Sequence, residues 1–581
     1  MLCFVVSVLT IQVLLGAASP LESSKAPKGC LRLSTDEDFP SAEAWKSALP
    51  TVIKNNNTVN VGPDYRIQVK SASDVEKAIK FAKDSNVRLS IITSGHDALA
   101  RSTAASGLLI DLSLLKGIKV HESFTPTTQG EASVLGQKAN VIVPKDGIQA
   151  AVTFGAGTTA DTLYNALHPS KLFPMTAGHG EVSVAGGWGQ FGGHGAFTHL
   201  FGLGVDQWLE AKVVTAEGLK IANKLVNPDL FWAIRGGGGG TFGVVVEATM
   251  KVYPDAPITG FNWWINATAP TTPEGKKQFE AATAYVLSQL PELHNKGIGG
   301  PTYAVAGHAL RGFTMHYGNE SGTVKANAAW KPVLDKLETL PGMTKFQTRP
   351  YNFKNFKEFY DTTFGMEDEM MKKVKRDLFK RHGPGAAGSM PKNYGLAAMD
   401  THLLGADHLK SPKLMEQLSK QGNSWIMIMA APRPGVGDIE ETSVNPSWRK
   451  AVVHYVGMGL PSTVRTVAPE MGAYGNEATN IEPNWQEAFW GSNYKKLVDI
   501  KTKYDPDHLF WVSPGVKADY MSVQNGRLCK VSSPPAVKAT DTAPITDNVT
   551  PAQVSVLIER FGKNELIGGF PAPGKYVGLQ S

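Results

Sequence analysis

Cysteine is the scarcest informative residue in the chain: three in 581, at positions 3, 30 and 529. So few thiols exclude a disulfide-stapled scaffold and a cluster of thiolate-ligated metal sites. Charge is sparse too. Charged residues make up 19% of the chain, and 58 Lys+Arg against 52 Asp+Glu leave a net +6. No Lys/Arg block interleaves with aromatics, so nucleic acid is not an expected partner. The H-E-x-x-H, G-x-x-x-x-G-K-[ST], C-x-x-C and G-x-S-x-G patterns are all missing, which removes the usual signatures of zinc proteolysis, P-loop hydrolysis, dithiol redox and lipase-type acyl transfer. Glycine, in contrast, is plentiful at 59 residues, and 42% of the chain is hydrophobic. That composition belongs to a large packed globular protein of several ordinary domains or two large ones.

Long apolar runs are confined to the start. Leu2 to Gly16 is apolar apart from Ser7, Thr10 and Gln12, and it leads into the small-residue stretch Gly16-Ala17-Ala18-Ser19-Pro20. This reads as a secretory signal over residues 1–18, although the n-region lacks Lys and Arg. It is short for a membrane span. The mature chain is therefore expected to be soluble, secreted and free of the membrane. Four N-x-[ST] triplets, at Asn56, Asn266, Asn319 and Asn548, are candidate glycosylation sites in that compartment. Cys3 leaves with the signal, and an oxidising compartment suggests a Cys30–Cys529 disulfide tying the ends together, with two free thiols as the alternative. Residues 531–581 open with Ser, Pro, Thr and Asp and read as a linker and tail.

Between the ends the pattern is strand, helix, strand. Tyr65–Val69 alternates, Ser73 is the expected helix cap, and Val75, Ala78, Ile79 and Ala82 recur at helical spacing. Val87–Ile92 and Leu108–Leu112 read as strands on either side of Thr93-Ser94-Gly95-His96-Asp97. Small residues directly after a buried strand let backbone N–H groups converge on phosphate oxygens. Gly187-Trp188-Gly189-Gln190-Phe191-Gly192 is a literal G-x-G-x-x-G. It does not suit a Rossmann turn, because Gly193, Gly195, Gly202 and Gly204 follow where a helix must run. The expectation is an extended glycine wall over 178–204, or else a plain loop. The five glycines 236–240 lie between an aromatic helix end and a β-branched strand, and predict a tight turn where backbone comes close to a ligand. Beyond Pro254 the chain is less glycine-rich, with helical segments near 275–290 and 323–340 and runs such as Trp425–Met429, suggesting helices over a sheet. His179, His194 and His199 have no carboxylate at motif spacing, so no metal is expected.

Thr93–Asp97 with Ala100-Arg101-Ser102-Thr103, Gly192–Gly195, Phe201–Gln207, the Asn227–Gly243 block, Tyr474-Gly475-Asn476-Glu477 and Asn493-Tyr494…Tyr504-Asp505-Pro506 together resemble the berberine-bridge-enzyme-like branch of the vanillyl-alcohol-oxidase flavoproteins, in particular its fungal FAD-linked oxidoreductases. The resemblance covers roughly residues 40–530. It implies an α+β, two-domain PCMH/VAO-type fold: an N-terminal segment (19–59), a split FAD domain (60–254 completed by 470–530) and an antiparallel-sheet substrate domain (255–469).

The resemblance also implies site roles. FAD would be linked through its 8α-methyl to His96, with Thr93, Ser94, Gly95, Asp97, Gly186, Gly187, Gly192, Gly193, Val244 and Asn476 as cofactor contacts. Many relatives add a cysteinyl link ahead of the glycine wall. Here that stretch reads Ala177-Gly178-His179-Gly180-Glu181-Val182, and no cysteine lies between Cys30 and Cys529, so a mono-covalent FAD is expected. A small-molecule substrate (alcohol, sugar or secondary metabolite) would give hydride to FAD, and O2 would reoxidise it to hydrogen peroxide. Tyr474 is the first candidate for proton handling, as a phenol of lowered pKa, with Asn476 orienting and Glu477 as a further base candidate. An extracellular carbohydrate oxidase and a low-turnover secreted flavoprotein are the alternatives.

Overall fold

The computed structural model describes residues 25–531 except 56–61, 98, 306–308, 319–321, 345–346, 364–398, 421–424, 439, 459–462, 479–481, 483 and 525. The signal segment, Asn56, Asn319, Asn548 and the 532–581 tail lie outside the described residues.

Alternating and β-branched runs in the first half of the chain build two sheets. A four-stranded sheet has the order Ile53–Lys54, Tyr65–Gln68, Leu108–Asp111, Leu89–Ile92; its first pair is antiparallel and the others parallel. The crossover between its second and fourth strands is the helix Ala72–Asp84, which buries Val75, Ala78, Ile79 and Ala82 as the spacing required. Its cap is Ser71, not Ser73. Ser71 is extended and its hydroxyl accepts from the Asp74 N–H at 3.2 Å, whereas Ser73 already lies in the first turn. A second, antiparallel sheet runs Ile118–His121, Ala151–Gly155, Val244–Pro254, Trp208–Thr215, Gly218–Asn223, with Leu172–Pro174 joining the far end of Val244–Pro254.

The glycine-rich stretch 178–204 is not the extended wall the sequence suggested. It folds into the one-turn helices Gly187–Gln190, Thr198–Phe201 and Gly204–Gln207, joined at positive-φ glycines such as Gly193 (+80°) and Gly202 (+92°). Glycine costs little where it caps a single turn, and much in a long helix. The 236–240 run does form a tight turn. It follows the helix Pro228–Ile234 and precedes Val244–Pro254, and Gly236 and Gly238 both donate to the Gln190 carbonyl, at 3.1 and 2.9 Å.

A seven-stranded, wholly antiparallel sheet occupies the middle of the chain in the order Gln347–Phe353, Ile258–Asn266, Ala309–Tyr317, Gly300–Val305, Trp425–Met429, Val453–Met458, Met399–Leu404. The helices Pro273–Asn295 and Gly322–Leu337 cover it: Val286, Leu290 and Trp330 share one core with Trp263 and Met427. Asn266 ends its strand partly exposed.

The last helices, Trp485–Trp490 and Tyr494–Tyr504, return to the first body, where Phe489, Trp490 and Leu497 join the core holding Phe191 and Phe231. Lys501 is buried there. It pairs with Asp505 and donates to the carbonyls of Thr241 and Phe510, both at 2.6 Å, fastening the glycine turn to the terminal segment. The hairpin Met521–Gln524/Arg527–Lys530 then carries Cys529 to Cys30, and the two are disulfide-bonded. No helix among the described residues is long and apolar enough to cross a membrane.

Candidate functional site

A cavity of about 390 Å³ opens where three pieces of this fold meet: the loop after Leu89–Ile92, the two glycine turns, and residues 474–477. The loop leaves the carboxyl end of a parallel strand, the usual place for a ligand in such sheets. Thr93, Ser94, Gly95, His96, Asp97, Gly186, Gly187, Val244, Tyr474, Asn476 and Glu477 all line it. Gly192 and Gly193 do not. They stand behind Tyr474: the Gly193 N–H donates to the phenol oxygen at 3.2 Å, and a Cβ on Gly192 would sit 3.1 Å from the ring.

At Gly186 the wall leaves no room for a side chain. A Cβ on Gly186 would lie 2.6 Å from Thr93 Oγ1, whereas one on Gly239 would make ordinary contact, 3.4 Å from Gly187 Cα. Backbone therefore faces the cavity directly. Two buried hydroxyls in the lining, Ser90 Oγ and Ser102 Oγ, have no hydrogen-bond partner among the described residues. Buried hydroxyls are rarely left so, which marks them as groups for a ligand to satisfy.

Arg101 connects the loop to the distant 474–477 segment. Its guanidinium pairs with Asp97 at 2.8 Å and donates to Asn476 Oδ1 at 3.0 Å. The Asn476 amide in turn donates to the Gly187 carbonyl at 3.0 Å and to the Tyr474 oxygen at 2.9 Å. Sequence reading had Arg101 only as part of a motif. Its partner stands 375 residues away, so no local spacing could reveal the role.

His96 is exposed, its Nε2 3.3 Å from the Glu181 carboxylate and its ring 4.6 Å from that of His179. His179 accepts from the Glu181 backbone N–H at 3.3 Å. The stretch in which a second cysteinyl link was sought thus lies against the His96 ring and brings a histidine and a carboxylate instead.

Tyr474 is buried, its oxygen accepting from Asn476 and Gly193. The expectation of a lowered phenol pKa is corrected. Burial, then the nearby Glu477 charge, push it well above the ordinary tyrosine range, outweighing the two donors. Glu477 goes the other way. Burial would raise its carboxyl, but His194 and His454 beside it hold it at about 2. His194 Nε2 lies 3.1 Å from one Glu477 oxygen and His454 Nδ1 3.5 Å from the other. His454 was missed in the sequence, where it sits inside a strand with no motif around it. His199 lies apart, fully buried, donating from Nε2 to the Gly297 carbonyl at 3.0 Å.

Two family models match the chain, one described as FAD binding domain over residues 63–221 and one as berberine and berberine like over 473–517. FAD-linked oxidoreductase malF of Malbranchea aurantiaca is 31% identical over 486 residues, covering 79% of this chain and 76% of its own. Among solved structures, the VAO-type flavoprotein MtVAO615 of Myceliophthora thermophila is similar with a TM-score of 0.70 at 22% identity, covering 86% of this chain and all of that one. Glucooligosaccharide oxidase of Acremonium strictum, with its 6-S-cysteinyl, 8α-N1-histidyl FAD, is similar with a TM-score of 0.56 at 18% identity over 82% of this chain and 96% of that one.

Proposed function

The chain belongs to the FAD-linked oxidoreductases with the VAO-type, berberine-like fold, and from that premise we propose that it is a flavin oxidase of small CH–OH substrates, anchored to FAD through His96 alone. The cavity fits the cofactor: its wall is bare glycine backbone at Gly186 and Gly187, and Ser90 and Ser102 offer unsatisfied hydroxyls. Thr93, Ser94, Gly95, Asp97, Val244 and Asn476 are the residues that would hold it, with His96 the covalent ligand. When bound, FAD supplies the two-electron chemistry, accepting the substrate hydride and passing both electrons to O2, which with two protons leaves as hydrogen peroxide.

Tyr474 is the group we assign to the substrate's hydroxyl proton. The Asn476 and Gly193 donors stabilise negative charge on its oxygen, and this pair of hydrogen bonds is the single observation that carries the assignment. Since burial keeps the resting phenol protonated, the active phenolate is a minority form near neutrality. Asn476, tied to Arg101 and Gly187, holds the phenol in place. Glu477 is the further candidate, but one of its oxygens is hydrogen-bonded to His194 and the other lies 3.5 Å from His454 Nδ1.

The carbohydrate reading draws support from the similarity to glucooligosaccharide oxidase. Secretion is supported by the Cys30–Cys529 disulfide and the apolar start of the chain. The test is an anaerobic panel of alcohols, sugars and hydroxylated metabolites. The reading expects at least one to bleach the flavin, with one peroxide per substrate released on admitting air. Bleaching without peroxide identifies a dehydrogenase, and a panel that bleaches nothing favours a flavoprotein of little turnover.

A further inference from the structure

We propose that His194, His454 and Glu477 form a binding site for one divalent transition ion of the zinc class at the wall of the cavity. The three side chains come from three different parts of the fold: the turn after Gly187–Gln190, the strand Val453–Met458 and the segment after Tyr474. Their ligand atoms lie within 4.8 Å of one another.

The observation that carries the site is an unsatisfied ring nitrogen. His454 is fully buried, its Nε2 hydrogen-bonded to Thr401 Oγ1, and its Nδ1 makes no hydrogen bond among the described residues. That Nδ1 faces a Glu477 oxygen at 3.5 Å. If the Nε2–H donates to Thr401, Nδ1 turns a bare lone pair toward a carboxylate, which is repulsive. If Thr401 donates instead, the Nδ1–H has no acceptor in bonding geometry. Either arrangement is costly in a buried place. A cation between the two groups relieves both: it takes the imidazole lone pair and the carboxylate charge together.

The spacing suits an ion. Ligand atoms bound at about 2.0–2.2 Å in tetrahedral directions stand roughly 3.3–3.5 Å apart. The two separations from Glu477 run from different oxygens, 3.1 Å from Oε1 to His194 Nε2, a little under that span, and 3.5 Å from Oε2 to His454 Nδ1. The Thr401 hydroxyl supplies the outer contact that orients a metal-binding imidazole. Two imidazoles and one carboxylate are a nitrogen and oxygen set for zinc or its neighbours rather than calcium or magnesium. Three protein ligands leave a fourth position open. Because His194 and Glu477 both line the cavity, that position faces the space where a substrate hydroxyl or water would enter. Sequence spacing gave no hint of this set, since the carboxylate and the second histidine stand 283 and 260 residues beyond His194 (477 − 194 and 454 − 194).

The test uses the full-length holoprotein, stripped with chelator and titrated with Zn²⁺ by calorimetry, with bound zinc counted by elemental mass spectrometry. The expected result is one ion per chain, with affinity at least tenfold weaker in Glu477→Gln and in His194→Gln. It should be unchanged in His179→Gln, which alters the separate His96–His179–Glu181 group. Circular dichroism checks that each variant is folded. Zinc-edge X-ray absorption of the wild type, which needs no variant, should show two imidazoles and at least one oxygen ligand. The proposal is overturned by a wild type without stoichiometric zinc, by zinc retained in Glu477→Gln and His194→Gln but lost in His179→Gln, or by an absorption spectrum lacking two imidazoles.

Discussion

At the scale of single residues, what was legible in the sequence was what lies close along the chain. Tyr474, Asn476 and Glu477 fall within four positions and were readable together, and so was the Thr93–Asp97 loop. Arg101 and His454 acquire their roles only through partners that folding brings in, Asn476 for one and Glu477 for the other. The direction of the Tyr474 pKa was likewise out of reach, because it depends on burial that no motif encodes. The Tyr474 assignment carries two expectations. Tyr474→Phe should lower turnover by on the order of 100-fold or more while flavin content, read from absorbance, stays the same. In the wild type, kcat/KM should rise about tenfold per pH unit through the alkaline range, as the phenolate fraction grows below a raised pKa, and this limb should vanish in the phenylalanine variant. A flat alkaline profile in the wild type removes Tyr474 as the base.

Elements with a period were read from the sequence, and elements without one were not. The helix Ala72–Asp84 shows its apolar face at regular spacing, and only its cap was misplaced, by two residues. Helices of four residues, such as Gly187–Gln190, have no repeat to detect, so the folded glycine stretch read as extended chain. The 236–240 turn was legible because five glycines between an aromatic helix and a β-branched strand leave few other uses. Its tightness sets an expectation. A Cβ on Gly236, at φ +141°, would lie 2.1 Å from the Val444 backbone nitrogen, so Gly236→Ala should destabilise by about 3 kcal/mol, measured by denaturant unfolding. At Gly186, where the neighbour is the Thr93 hydroxyl, alanine should instead reduce flavin content in a protein that still folds.

For the whole molecule, the division into sheets followed the composition shift near Pro254, but strand order did not. The seven-stranded sheet places Met399–Leu404 at an edge beyond Val453–Met458, a crossover that no local pattern specifies. Closure of the ends was legible from two cysteines alone. Cys30→Ser should cost about 2–5 kcal/mol of stability, seen as a lower denaturation midpoint. Acid stability follows from buried histidines. Burial depresses His199 to about 3 and His508 to about 4, against about 6.5 in the unfolded chain. The unfolded state therefore binds the extra protons, and stability is full above pH 6.5 and falls as pH drops toward 3. A His199→Gln variant should show a shallower fall over that window in denaturation midpoints taken at stepped pH.

One measurement bears on the central claim, a flavin oxidase with a single covalent anchor, more directly than any other. The protein is precipitated in acid, digested with trypsin and mapped by mass spectrometry, following the peptide of residues 89–101 that Arg88 and Arg101 delimit. The account predicts that flavin stays with the precipitate, that this peptide carries it on His96, and that no other peptide does. A flavin-free 89–101 peptide, with all the FAD released into the acid supernatant, would contradict it.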